Sequence, residues 1–212
     1  MDKISVEYLN HMGDDMMIAN VARVSFNKWK EGVADEGDKR LIKYLAEHEH
    51  TSPFRHNAIT IRCEAPIWLA RQLGKHQVGM SWNEVSRRYV DTGIEFFVPE
   101  YRTRPEGGIK QGSGDTHPNS KHWVEETLLL HDKAFKLYDE MIEDGVAPEQ
   151  ARGVLPQNMM TTWIWTGSLM AFSHLFKLRV DGHAQVEAQI FAKEVDRVMN
   201  ELFPVSWGYL KG

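Results

Sequence analysis

The chain has 212 residues, enough for one large domain over 1–212, and 42% of them are hydrophobic, with 7 tryptophans available for packing or stacking. A net charge of −5 argues against a generic nucleic-acid or membrane surface, which would normally carry a basic excess. No apolar run reaches the length of a membrane span, MDKISVEYLN lacks a secretory core, and the single cysteine excludes an internal disulfide or a multi-cysteine zinc site, so a cytoplasmic location is expected.

Asp14 to Val24 and Glu36 to His48 show helical apolar spacing, the second through Leu41, Ile42 and Leu45 with acidic residues near its start. Asn57 to Glu64 alternates, with Ile59, Ile61 and Cys63 on one face and Thr60, Arg62 and Glu64 on the other, which predicts a strand. Pro66 suits the first turn of a helix running through Leu69 and Leu73 towards His76. KHQVGMSWNEVSRRY, Lys75 to Tyr89, follows with neither period and a high density of donors and acceptors. Glu95 to Pro99 is a short strand candidate, and Arg102 to Ser120, rich in glycine with two prolines, reads as an exposed, mobile loop.

Trp123, Thr127, Leu130, Ala134, Leu137 and Met141 predict a long helix from about Ser120 to Glu143. A short helix over Pro148 to Val154, a β-prone segment over Met159 to Thr166 and a helix over Ser168 to Leu178 come next. The final helix, Ala184 to Phe203, has one apolar row through Ala188, Phe191, Val195, Val198 and Leu202 and another through Val186 and Ile190. Burial from two sides fits either a subunit interface or a central helix within a monomer core.

Among groups able to do chemistry, Cys63 falls in phase with the apolar face of its strand, where burial makes a thiol inert. His48, His50 and His56 in EHEHTSPFRH fit no tight metal spacing, and Pro53 turns the chain between them, so no metal is expected; Thr51, Ser52 and Pro53 suit a turn lining a pocket. Lys75, Ser86, Arg87 and Arg88 can converge on phosphate oxygens, while Glu84 would accept from a ribose hydroxyl or a ring N–H. That is a nucleotide monophosphate site read by side chains, although a charged, solvated loop has the same composition. In LRVDGHAQ, Asp181 is an N-cap candidate for the final helix, and Arg179 beside that helix's positive end would hold an anion or a base that must lose a proton.

Taken together these segments resemble the flavin-dependent thymidylate synthases, the family that methylates dUMP with methylenetetrahydrofolate, reduced FAD and NADPH. The likeness rests on His50 to His56, Ala70 to Gln72, Ser81 to Tyr89, Ala151 to Pro156 and Leu178 to Gln185, in that order along the chain. The resemblance implies that Gln72, Glu84, Ser86, Arg87, Arg88, Arg152 and Arg179 surround dUMP, with Arg179 promoting ionisation of the uracil N3. It places Ser52, His76, Glu84 and His174 at flavin-contacting positions and His50 where flavin, folate and substrate meet. The family's Arg-His-Arg signature reads Lys75, His76, Gln77 here, with eight rather than seven residues before Ser86. Lys75 keeps a charge for substrate or flavin without the planar fork, and Gln77 removes one from the flavin-phosphate side. At two further flavin positions Ser168 stands for a frequent Asn and Met170 for a frequent Arg.

The expected architecture is therefore α+β, a small, mostly antiparallel sheet packed with long helices in one domain. The resemblance adds a homotetramer with active sites between subunits. Two rivals stand beside dTMP synthesis: a related enzyme that hydroxymethylates a pyrimidine nucleotide, and a silent nucleotide-binding protein.

Overall fold

A computed structural model describes residues 3–105 and 112–212. Its centre is one antiparallel four-stranded sheet, in the order β1-β2-β4-β3: β1 (Ser5–Met12), β2 (Ala58–Pro66), β3 (Met80–Glu84) and β4 (Met160–Gly167). Eight α-helices are found among the described residues: α1 (Asp15–Arg23), α2 (Glu36–Glu47), α3 (Ile67–Leu73), α4 (Ser120–Glu143), α5 (Pro148–Ala151), α6 (Leu169–Val180), α7 (Val186–Leu202) and α8 (Pro204–Lys211). This is the expected α+β architecture, with all strand pairs antiparallel.

The period-two reading of β2 holds. Ile59, Ile61 and Cys63 are wholly buried, and opposite Cys63 and Ile61 lie Trp163 and Trp165 of β4. Trp163 stacks on Phe191 of α7 at 5.8 Å between ring centroids, and Trp165 meets Phe172 of α6 edge-on at 6.0 Å. Offset and T-shaped contacts of this kind favour aromatic pairs beyond their buried area. The sheet's inner face and helices α6 and α7 therefore form one core.

Capping fixes several helix starts. The Asp14 side chain accepts from the Met17 N–H, and Asp35 makes a capping box with Asp38 on α2. Asp38 is fully buried, between Lys30 at 2.8 Å and Arg23, and these cations hold its carboxyl well below the usual carboxylate range against the opposing cost of burial. The pairs fasten the segment from Arg23 to Asp35 onto α2.

Several expectations are corrected. Pro66 ends β2, opposite Met160, and caps α3 with extended backbone instead of entering its first turn. That helix stops at Leu73, because Gly74 closes it by donating to the Ala70 carbonyl, so His76 lies beyond it. Asp181 does not cap α7: it ends α6, and its carboxylate instead receives the backbone N–H of His183 at 2.8 Å, which delays α7 until Val186. Glu95 to Pro99 yields only a bridge from Phe96 to Met159. Strand β3 arises inside the stretch that showed no period, and β1 and α8 had no predicted counterpart. The reading of Arg102 to Ser120 as mobile falls partly on 106–111, outside the described residues; of the rest, Arg102 pairs with Thr116 across a bridge.

Of the two readings of the last helix, the structure favours the core. Ala188, Phe191, Ala192, Val195, Val198 and Met199 of α7 are at most 1% exposed. Helix α4 is the opposite case: Trp123, Leu128, Leu129, Leu130, Phe135 and Leu137 are between 39% and 57% exposed.

Candidate functional site

Arg179 reaches the surface from the last turn of α6. Its Nε donates to Nε2 of His76 at 3.0 Å, which requires that nitrogen to be an unprotonated acceptor. The environment agrees: burial, then the Arg179 charge, then His174 push the His76 imidazole below its ordinary value, so the neutral form is favoured. Among the described residues the terminal nitrogens of Arg179 donate to no protein group.

A cleft of about 580 Å³ opens here, lined by Gln72 from α3, Arg179 and Lys177 from α6, Gln185 at the start of α7, and Arg102. The Gln72 Oε1 is buried without a partner among the described residues. An acceptor in that state fits a ligand N–H or O–H.

On the other side of His76 a second cleft of about 410 Å³ gathers Lys75, His76, Gln77, Met80, Trp82 and Glu84. Trp82 forms its aromatic wall, stacked on Trp163 at 4.4 Å. Glu84 is held in place, accepting from Thr161 Oγ1 at 2.7 Å and from the Trp82 indole at 3.3 Å. Gly167 lies opposite Met80, and a Cβ there would collide with the Met80 sulfur.

His50, Met170 and His174 line a third cavity of about 400 Å³ with Thr51, Lys177 and Tyr209. Lys177 lines both this cavity and the Arg179 cleft. Ser52 sits exposed on the adjoining 3-10 turn, where Pro53 and Phe54 are buried. Ser168 is engaged elsewhere, capping α6 through the Ala171 N–H at 3.2 Å.

The remaining predicted residues do not gather within one chain. Arg87 donates to the carbonyls of Val90, Thr92 and Gly93, the Thr92 contact being 2.5 Å, and so organises its own loop. Arg88 is exposed, with its Nε 3.3 Å from Ser86 Oγ and its guanidinium over the Tyr89 ring. Arg152 is exposed and donates to the Glu149 carbonyl. Cys63 is inert, since burial pushes its thiol up.

Trp82, Lys177 and Arg102 were missed in the sequence. Trp82 could have been found as the inward member of a strand, had β3 been recognised; the other two carry no local signal.

Comparison with known proteins gives a consistent picture. Residues 7–205 match the model of the family described as thymidylate synthase complementing protein. The chain is similar to a flavin-dependent thymidylate synthase of Thermotoga neapolitana, 36% identical over 209 residues, covering 99% of this chain and 90% of that one. A flavin-dependent thymidylate synthase of Thermus thermophilus is 36% identical over 211 residues, covering 98% and 75%. Among solved structures, the UMP/dUMP methylase PolB of Streptomyces cacaoi bound with 5-Br dUMP superposes with a TM-score of 0.87 at 29% identity, over 97% of this chain and 94% of that one. The same protein bound with 5-Br UMP gives 0.85 at 28%, over 97% and 92%.

Proposed function

The chain belongs to the flavin-dependent thymidylate synthase family, and from that membership we propose that it methylates dUMP to dTMP. In this reading the one-carbon unit comes from 5,10-methylenetetrahydrofolate and the reducing equivalents from NADPH through FAD. The observation that carries it is the Arg179–His76 contact at the polar cleft, a cation oriented by a neutral imidazole with its terminal nitrogens facing no partner among the described residues. Set against the N3/O2 edge of uracil, such a group stabilises negative charge on the ring and raises electron density at C5. C5 then bonds to the one-carbon unit and releases its proton, and a hydride completes the methyl group. No thiol attack is needed, in keeping with the burial of Cys63.

Gln72 accepts from the nucleotide, and Ser86, Arg88 and Arg152 bind its phosphate side, with Arg87 orienting the loop. The residues present fit a flavin: the second cleft offers Met80 and Trp82 as apolar walls beside the Lys75 cation, and the third cavity offers Met170 and Tyr209 beside Lys177. Bound reduced flavin supplies the hydride. His76, Gln77, Glu84 and His174 would border it, and His50 would lie where folate meets the substrate. The dispersal of Ser86, Arg88 and Arg152 in one chain, together with the exposed apolar surface of α4, supports sites completed between copies of a homotetramer.

A second reading, that UMP is also a substrate, is favoured by the likeness to the S. cacaoi UMP/dUMP methylase. The test is tritium release from C5-tritiated dUMP and, in parallel, UMP, with methylenetetrahydrofolate, FAD and NADPH. Release with formation of the 5-methyl nucleotide supports methylation. Flavin oxidation without release, or a 5-hydroxymethyl product, would sink it.

A further inference from the structure

Beside the Arg179 cleft, with one member on its wall, lies a buried ion pair that the reading above does not use. Arg102, from the ribbon after residue 100, and Glu187, from the first turn of α7, meet at 2.5 Å with side chains only 13% and 3% exposed. The Arg102 Nε donates to Ser113 Oγ at 2.7 Å. Its Nη1 and the Glu187 Oε2 are buried with no partner among the described residues, as is Gln72 Oε1. Arg102 and Gln72 line the cleft, and Glu187 is two residues from Gln185, which also lines it.

A buried ion pair offsets its desolvation only when its remaining hydrogen-bonding capacity is met. Leaving one donor and two acceptors unmet around a single cleft is costly unless something else meets them. A single phosphate would not, because two of the three are acceptors and the Arg102 charge is already neutralised by Glu187. The complement is a neutral group that donates and accepts at adjacent atoms, such as a sugar hydroxyl or the imide edge of a pyrimidine.

We infer that Arg102, oriented by Glu187, is a nucleotide-binding residue that with Gln72 recognises a neutral donor–acceptor group of the uridylate in the Arg179 cleft. The assignment rests on the uridylate reading of that cleft and adds a specificity element to it. Arg102 supplies the Nη1–H donor, and Gln72 and Glu187 supply the acceptors.

The test is calorimetric titration of the oxidised flavin-loaded protein with dUMP and with 2′,3′-dideoxyuridine monophosphate, which lacks the sugar hydroxyl. Arg102→Lys keeps the charge opposite Glu187 but loses the fork, and dUMP binding is expected to weaken about tenfold or more, with flavin content unchanged. If the loss is seen for dUMP and vanishes for the dideoxy analogue, the hydroxyl is the group read; equal losses point to the imide edge. Arg102→Leu with Glu187→Leu removes both buried charges together and should fold yet bind dUMP as weakly. Arg102→Lys binding dUMP like the wild type would overturn the assignment alone. Wild-type protein that binds neither dUMP nor UMP would overturn the uridylate reading and this assignment with it.

Discussion

Helices α4 and α7 both carry apolar residues on more than one side, yet the chain treats them in opposite ways. Phe191 and Val195 of α7 are fully covered by the sheet and its neighbouring helices, whereas Leu129 and Leu130 of α4 stand 56% and 57% exposed. The apolar pattern is a demand for cover that does not say which chain supplies it. In α7 the same chain supplies it; in α4 the proposed assembly has a second copy supply it. The site divides the same way: Gln72, His76 and Arg179 are brought together within the chain, while Ser86, Arg88 and Arg152 do not join them there, and the proposed assembly has a second copy complete the site.

The largest effect should come from the inner helix. Phe191→Ala removes a ring stacked on Trp163 and should cost about 3–5 kcal/mol of stability, read from urea unfolding. If unfolding is nearly unchanged, α7 is not the core element described. On the outer helix, Leu129→Glu with Leu130→Glu should leave the chain folded, with a stability change within about 1 kcal/mol for two exposed sites. Light scattering should show loss of assembly, and turnover should vanish with it. Persistent oligomers of full activity would dissolve the contrast.

Acid sharpens the within-chain half. Because the folded state holds His76 below its ordinary value of 6.5, the unfolded chain takes up its proton first, so this group's contribution to stability is present above that value and is lost as pH falls through the window beneath it. Protonation also removes the acceptor for Arg179. Nucleotide affinity should therefore hold through the ordinary imidazole value and fall only at lower pH, where the folded-state imidazole takes up its proton, and His76→Asn, which keeps an acceptor but cannot titrate, should flatten the profile. An unchanged profile would show that this contact does not orient the cation. The smallest effect is expected at Cys63: Cys63→Ala should retain turnover, since the buried thiol lies outside the chemistry.

Legibility in the sequence followed the same division. Helices α1, α2, α4 and α6 and strands β2 and β4 were readable within a residue or two, because each has a period and a cap or breaker at its ends. Strand β3 was not: Met80 and Trp82 pack against the core and Ser81 and Asn83 face outwards, but two apolar residues in a five-residue strand at a sheet edge make too short an alternation to stand out from the polar stretch around it. Arg179 and His76 were both singled out, but their contact spans 103 positions and no local pattern predicts it. Arg102 and Glu187 were invisible for the same reason, 85 positions apart with one in a glycine-rich loop. Asp181 was misread because an Asp before a helix caps either that helix or the turn leading to it, and backbone geometry decides which.

The most direct test of a uridylate methylase built across copies is complementation between two inactive variants. Arg179→Ala removes the within-chain half and Arg88→Ala the half that awaits a partner. Each variant alone should release no tritium from C5-tritiated dUMP, whereas the two produced together in mixed assemblies should recover measurable release and dTMP formation. Mixed assemblies that stay as inactive as their parents would contradict the account.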